Sequence, residues 1–159
     1  NAPSSMFDDQ TNEKERLALP VFGETLRILV VEDNYDMRLF LKKILKDKYE
    51  VVLAENGLKG LEIIQAAPSR LSLIITDLMM PEMDGFELLE NIKKQPETAD
   101  LPVIVLTAKH EKDSRLNALR IGVDEYLTKP FSIDELSTTV KHLIQNYTQR
   151  NKKGLKKRT

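Results

Sequence analysis

The sequence contains no cysteine, which excludes a disulfide framework. Nowhere does an apolar run approach the roughly 20 residues that a helix needs to cross a bilayer. The N-terminus has no basic segment leading into an apolar stretch, so a signal peptide is not expected either. These absences make the cytoplasm the expected compartment, with no membrane contact by this segment. Also missing are the phosphate-cradling runs G-x-x-x-x-G-K-[ST] and G-x-G-x-x-G, which removes the common nucleotide-binding readings.

What is present suits one globular domain: 159 residues, 41% hydrophobic and 31% charged, enough to bury a core unaided by disulfides or metals. The net charge of −1 conceals a gradient. Residues 1–25 carry Asp8, Asp9, Glu13, Glu15 and Glu24 against Lys14 and Arg16, whereas residues 148–159 carry Arg150, Lys152, Lys153, Lys156, Lys157 and Arg158 with no acid. Such a basic run can touch nucleic acid or an acidic partner, but it reads more simply as a solvated helix end or linker, and direct nucleic-acid binding is not expected. The opening NAPSSM resembles a cloning remnant. The expected organisation is a tag remnant and linker over 1–25, a domain over 26–147 and a basic tail or linker over 148–159.

Through the middle, the hydrophobic period alternates. An apolar run at 27–31 stops at Glu32-Asp33-Asn34, and Met37, Phe40, Leu41, Ile44 and Leu45 then recur at helical spacing, which predicts a strand and an amphipathic helix. The same pairing recurs: strands at 50–54, 71–76, 103–107 and 125–128, with helices at 57–67, 84–95, near 111–120 and from Ser132. Ser132 and Glu135 have capping-box spacing, and Ile133, Leu136, Val140, Leu143, Ile144 and Tyr147 form one apolar stripe. Five β-then-α units without hairpin signals imply a doubly wound α/β fold: a five-stranded parallel sheet with helices on both faces.

Ligands of such sheets bind beyond the carboxyl ends of the strands. There the sequence places Glu32 and Asp33, then Asp77, then Thr107 and Ala108, then Lys129 and Pro130. Singly, Asp33 and Thr107 could cap helices, Asp77 could begin a turn and Lys129 could be a solvated charge. Together, three carboxylates on one rim repel by up to ~4 kcal/mol per pair at 4 Å and an effective dielectric of 20. Hard oxygen donors so grouped suit Mg²⁺ (or Mn²⁺). An Asp at a strand end beside a divalent cation and a lysine suits phosphoryl transfer, with Asp77 as nucleophile and Lys129 as counter-charge. Thr107 can donate its hydroxyl to a phosphoryl oxygen, and the small Ala108 leaves room for the group.

The runs ILVVEDN (28–34), ITDLMMPEMDGFELL (75–89), PVIVLTA (102–108) and DEYLTKPF (124–131) resemble the receiver domain of two-component response regulators over residues 26 to about 147. The resemblance implies a flavodoxin-like receiver fold with strand order 2-1-3-4-5, and a phosphoacceptor domain rather than an enzyme. Asp77 is then the phosphoacceptor, charged from a phosphohistidine of a histidine kinase or histidine phosphotransfer domain. The metal is held by Asp33, Asp77 and the Met79 carbonyl, with Glu32 acting directly or through water. The Lys129–Pro130 peptide is cis, and Thr107 and Tyr126 form a switch pair that reshapes the face of the fourth helix, fifth strand and last helix.

Such a receiver stands alone or is a piece of a longer protein; the acidic segment before it and the basic tail after it read as linkers, which favours a receiver excised from a hybrid sensor kinase or multidomain regulator. The resemblance leaves open a DNA-binding output domain, a phosphorylation-dependent homodimer and location in the cytoplasmic part of a membrane-anchored kinase. Two competing readings are weaker. A haloacid dehalogenase type phosphatase carries an acid two residues after its nucleophile, where this chain has Met79. A degenerate receiver that only binds proteins would lack an acid, the Thr or the Lys. Met79, Met80 and Met83 read as loop and packing residues, Gly57, Gly85 and Gly122 as turn or helix-end glycines, and His110 and His142 as solvent-facing.

Overall fold

A computed structural model of the chain describes residues 25–108 and 122–158, with residues 151–158 described through their backbone only. The expected helix near 111–120, together with Lys109 and His110, lies outside the described residues. The strands are β1 (Arg27–Val31), β2 (Glu50–Ala54), β3 (Leu73–Asp77), β4 (Val103–Ala108) and β5 (Glu125–Lys129). All pair in parallel in the order β2-β1-β3-β4-β5, as a continuous apolar pattern buried on two sides requires.

Alternate residues of these strands feed two cores. Leu29, Val31, Ile74, Val103 and Val105 face α2 (Gly57–Ala66) and α3 (Gly85–Lys94). Ile28, Val30, Leu73, Ile75, Ile104 and Leu106 face α1 (Tyr35–Leu45) and α4 (Ile133–Arg158), meeting Leu41, Leu45, Leu136, Val140 and Ile144. This period-two division of one strand between two helical layers is what a doubly wound sheet demands.

Helix starts follow their caps. Asn34, Asn56 and Asp84 accept the backbone N–H of Met37, Lys59 and Glu87, and Ser132 Oγ accepts that of Glu135 at 3.0 Å. The strand at 71–76 is shifted relative to expectation. Pro68–Arg70 forms a 3₁₀ turn closed by Leu71 N–H on the Pro68 carbonyl, so β3 begins at Leu73 and ends on Asp77. Pairing of Asp77 with Leu106 carries the sheet one residue past the apolar run. The last helix continues to Arg158, through the basic residues read as a linker.

Candidate metal centre

The site forms where β1, β3, β4 and β5 end on one rim. Glu32 leaves β1 with its N–H on the Ala54 carbonyl (3.0 Å), and its side chain is fully buried. Its carboxylate accepts from Lys129 Nζ at 2.8 Å and from the Asn34 N–H at 3.2 Å. Asp77, half-buried, accepts from Lys129 Nζ at 3.2 Å and from the Met79 N–H at 3.4 Å. Asp33 is exposed at the rim, and carboxylate oxygens of Glu32, Asp33 and Asp77 lie within 4.8 Å of one another. Oxygens around one Mg²⁺ stand at most about 4 Å apart across a site with bonds of 2.0–2.1 Å, so this all-oxygen donor set fits a small hard cation after slight contraction.

Burial pushes the Glu32 carboxyl up to about 7; the Lys129 hydrogen bond opposes this, and the charge of Asp77 adds to it. Burial works against the Lys129 ammonium, but its bonds to Glu32 and the charge of Asp77 outweigh that and hold it above the usual lysine range. One cation thus bridges two of the three acids and opposes part of the repulsion expected among them.

Thr107 is fully buried at the end of β4, and its Oγ1 has no hydrogen-bond partner among the described residues. A hydroxyl left unpaired in this way normally costs about 1–3 kcal/mol, which fits a group that acquires its acceptor on ligand binding. Thr107 and Ala108 pair with Thr128 and Lys129, and Val105 pairs with Tyr126. Strand alternation therefore puts Thr107 and Tyr126 on the same sheet face. The Lys129–Pro130 peptide is cis.

The loop after Asp77 is tied down at both ends. A Cβ on Gly85 would sit 2.4 Å from the Asp77 carbonyl oxygen, and one on Gly57 would sit 2.4 Å from that of Met83, so both close approaches need glycine. Glu82 adopts φ 68° and accepts from Asn56 Nδ2 at 3.3 Å. Met80 and Met83 pack on the core, whereas Met79 is 59% exposed. His142 is exposed, as expected.

The structure thus brings together Glu32, Asp33, Asp77, Thr107, Ala108 and Lys129. It also removes one dull reading: Asn34, not Asp33, caps α1. Sequence reasoning missed Asn34, the Asn56–Glu82 tie and Arg38, whose guanidinium reaches the carbonyls of Glu32 and Asp33 at 2.8 and 3.1 Å. The available signal for Arg38 was its place in the first turn of a helix whose side chains lean back toward its N-terminus.

Residues 28–141 match the response regulator receiver domain. The chain belongs to this family. It is 43% identical over 127 residues to the sensor histidine kinase TmoS of Ectopseudomonas mendocina, covering 79% of this chain and 13% of that protein. It is 39% identical over 140 residues to histidine kinase P4 of Formosa agariphila, covering 88% of this chain and 9% of that protein. The chain therefore spans only a small part of those curated relatives. Among solved structures it is similar to a receiver domain protein of Clostridium thermocellum (33% identity, TM-score 0.70, covering 80% of this chain and 97% of that one). It is also similar to the receiver domain of a signal transduction histidine kinase of Syntrophus aciditrophicus (35%, TM-score 0.70, covering 76% and 90%). Receiver domains serve two-component signalling, are generally not catalytic enzymes, and bind Mg²⁺ at an acidic cluster such as the one present here. No helix among the described residues is long and apolar enough to cross a membrane.

Proposed function

We propose that Asp77 is the phosphoacceptor of this receiver domain and that residues 26–147 form the phosphorylated unit. The observation that carries this is the convergence of three carboxylates and one ammonium on the rim where the buried Thr107 hydroxyl has no partner among the described residues. Glu32, Asp33, Asp77 and the Met79 carbonyl would hold Mg²⁺ or Mn²⁺, which when bound supplies positive charge for the phosphoryl oxygens.

An Asp77 oxygen attacks the phosphorus of a phosphohistidine in line; the new O–P bond forms as the P–N bond breaks, and that electron pair stays on the imidazole nitrogen. Lys129 follows the negative charge from the Asp77 carboxylate to the phosphoryl group, Thr107 donates its hydroxyl to a phosphoryl oxygen, and Ala108 leaves space. Movement of Thr107 and inward rotation of Tyr126 then reshape the face that includes β5 and α4, through which an output domain or a second copy reads the state. A histidine kinase or histidine phosphotransfer domain is the donor.

Acetyl phosphate with Mg²⁺ tests the assignment. One hydroxylamine-sensitive phosphoryl group per chain is expected, and none in Asp77→Asn. Stoichiometric labelling that persists in Asp77→Asn overturns it.

A further inference from the structure

Arg38 is not among the residues that the phosphoacceptor reading uses, yet it grips the loop that carries two of them. A single guanidinium nitrogen, Nη1, donates to the carbonyl oxygens of Glu32 (2.8 Å) and Asp33 (3.1 Å). Peptide units are planar and trans, so a carbonyl held in one direction restrains the plane to which it belongs. The Glu32 carbonyl belongs to the plane before the Asp33 Cα and the Asp33 carbonyl to the plane after it. Holding both restrains φ and ψ of Asp33, and with them the direction of its Cα–Cβ bond.

The amide side of the same loop is tied separately. The Asn34 N–H, pointing opposite to the Asp33 carbonyl across a trans peptide, donates to the Glu32 carboxylate at 3.2 Å. Arg38 is itself anchored: its backbone N–H bonds the Asn34 carbonyl at 3.0 Å, and its guanidinium carbon lies 5.6 Å from the centroid of the Tyr35 ring. That contact gives a use to a tyrosine left 64% exposed.

We propose that Arg38 is a positioning residue that preorganises the Asp33 carboxylate for the metal by clamping the two peptide planes around it. The inference rests on the metal reading above for its consequence, but the clamp itself exists without metal.

The proposal can be separated from a simple charge effect by sign. Arg38 is a cation near a cation site; if it acted only through its charge, removing it would tighten metal binding. A clamp predicts the reverse, because groups that orient metal ligands are typically worth tenfold or more in affinity. The experiment measures Mn²⁺ affinity of the full chain by the electron paramagnetic resonance of free Mn²⁺. In parallel, ¹⁵N relaxation gives order parameters of the Asp33 and Asn34 amides in metal-free protein, for wild type, Arg38→Ala and Arg38→Lys.

Arg38→Ala is expected to lower those order parameters and to weaken Mn²⁺ binding by on the order of tenfold, with melting nearly unchanged. Arg38→Lys, which keeps the charge and can donate to a carbonyl, recovers part of both, and it carries the test if the alanine variant does not fold. Unchanged order parameters in the substituted proteins, with Mn²⁺ affinity equal to or tighter than wild type, overturn the clamp. A wild-type Mn²⁺ affinity insensitive to Asp33→Asn would instead overturn the metal reading, while the metal-free order parameters still decide the role of Arg38.

Discussion

Lys129 Nζ lies 3.2 Å from Asp77 Oδ2, so the carboxylate proposed to receive the phosphoryl group is already in an ion pair before any phosphate arrives. The same nitrogen lies 2.8 Å from the fully buried Glu32. One ammonium thus compensates two acids, and its removal leaves a buried carboxylate without a counter-charge.

Above the Glu32 value of about 7, Lys129→Ala is therefore expected to destabilise the metal-free protein by up to about 3 kcal/mol, the scale for breaking one side of a buried ion pair, and by less at lower pH, where Glu32 takes up a proton. Urea unfolding measures it. Saturating Mg²⁺ should restore part of the loss, since a ligand bound only by the native state shifts unfolding by mass action. A loss well under 1 kcal/mol would show that the pair is not stabilising.

Asp33 is exposed and leaves capping to Asn34, so in the proposed metal reading its carboxylate serves as a ligand and not as the helix cap. Asp33→Asn should leave the metal-free protein as stable as wild type or more so, while the rise in melting temperature that Mg²⁺ gives the wild type shrinks. A clearly less stable variant with unaltered Mg²⁺ affinity would make Asp33 structural.

Burial raises Glu32 from an ordinary 4.5 to about 7, so between those values the folded state holds a proton that the unfolded state has lost. The contribution of this group to metal-free stability is fully present below about 4.5 and is lost as pH rises through about 7. The slope is at most about 1.4 kcal/mol per pH unit, that of one proton. Denaturant titrations from pH 5 to 8 should show this decline in wild type and a flatter profile in Glu32→Gln. Mg²⁺ affinity should strengthen across the same interval, because the cation competes with that proton. Identical pH profiles for the two proteins would count against the shift.

Met79 is 59% exposed beside Asp77 and can neither donate nor accept a strong hydrogen bond through its side chain. Its side chain therefore cannot orient water against an acyl phosphate. Phosphorylated Asp77 is expected to decay slowly for a receiver, and Met79→Asn should accelerate the decay. Loss of label after removal of acetyl phosphate at saturating Mg²⁺ measures both. Equal or slower decay in the variant means that the water path is governed by other residues.

Features that depend on near neighbours are legible in the amino-acid order. Two-sided burial forces strands such as Ile28–Val31 to be apolar throughout, and a helix with one buried face shows its period as in Leu136, Val140 and Ile144. Cap chemistry acts over three residues, so Ser132 was legible. The acidic rim could be read because strand ends in a parallel sheet share one edge, whatever the pairing.

Tertiary structure alone decided the rest. Near the first helix, Asp33 and Asn34 are both good caps by type, and only the course of the backbone after β1 selects Asn34. The start of β3 depends on a 3₁₀ turn and on its register against β1 and β4. The partnership of Lys129 with Glu32 spans 97 residues of chain, and no local spacing encodes which acid a distant ammonium meets. The Arg38 clamp depends on where two carbonyls point, a property of φ and ψ that side-chain identity does not specify. Local preference writes the elements; burial and charge, acting between elements remote in sequence, choose the partners.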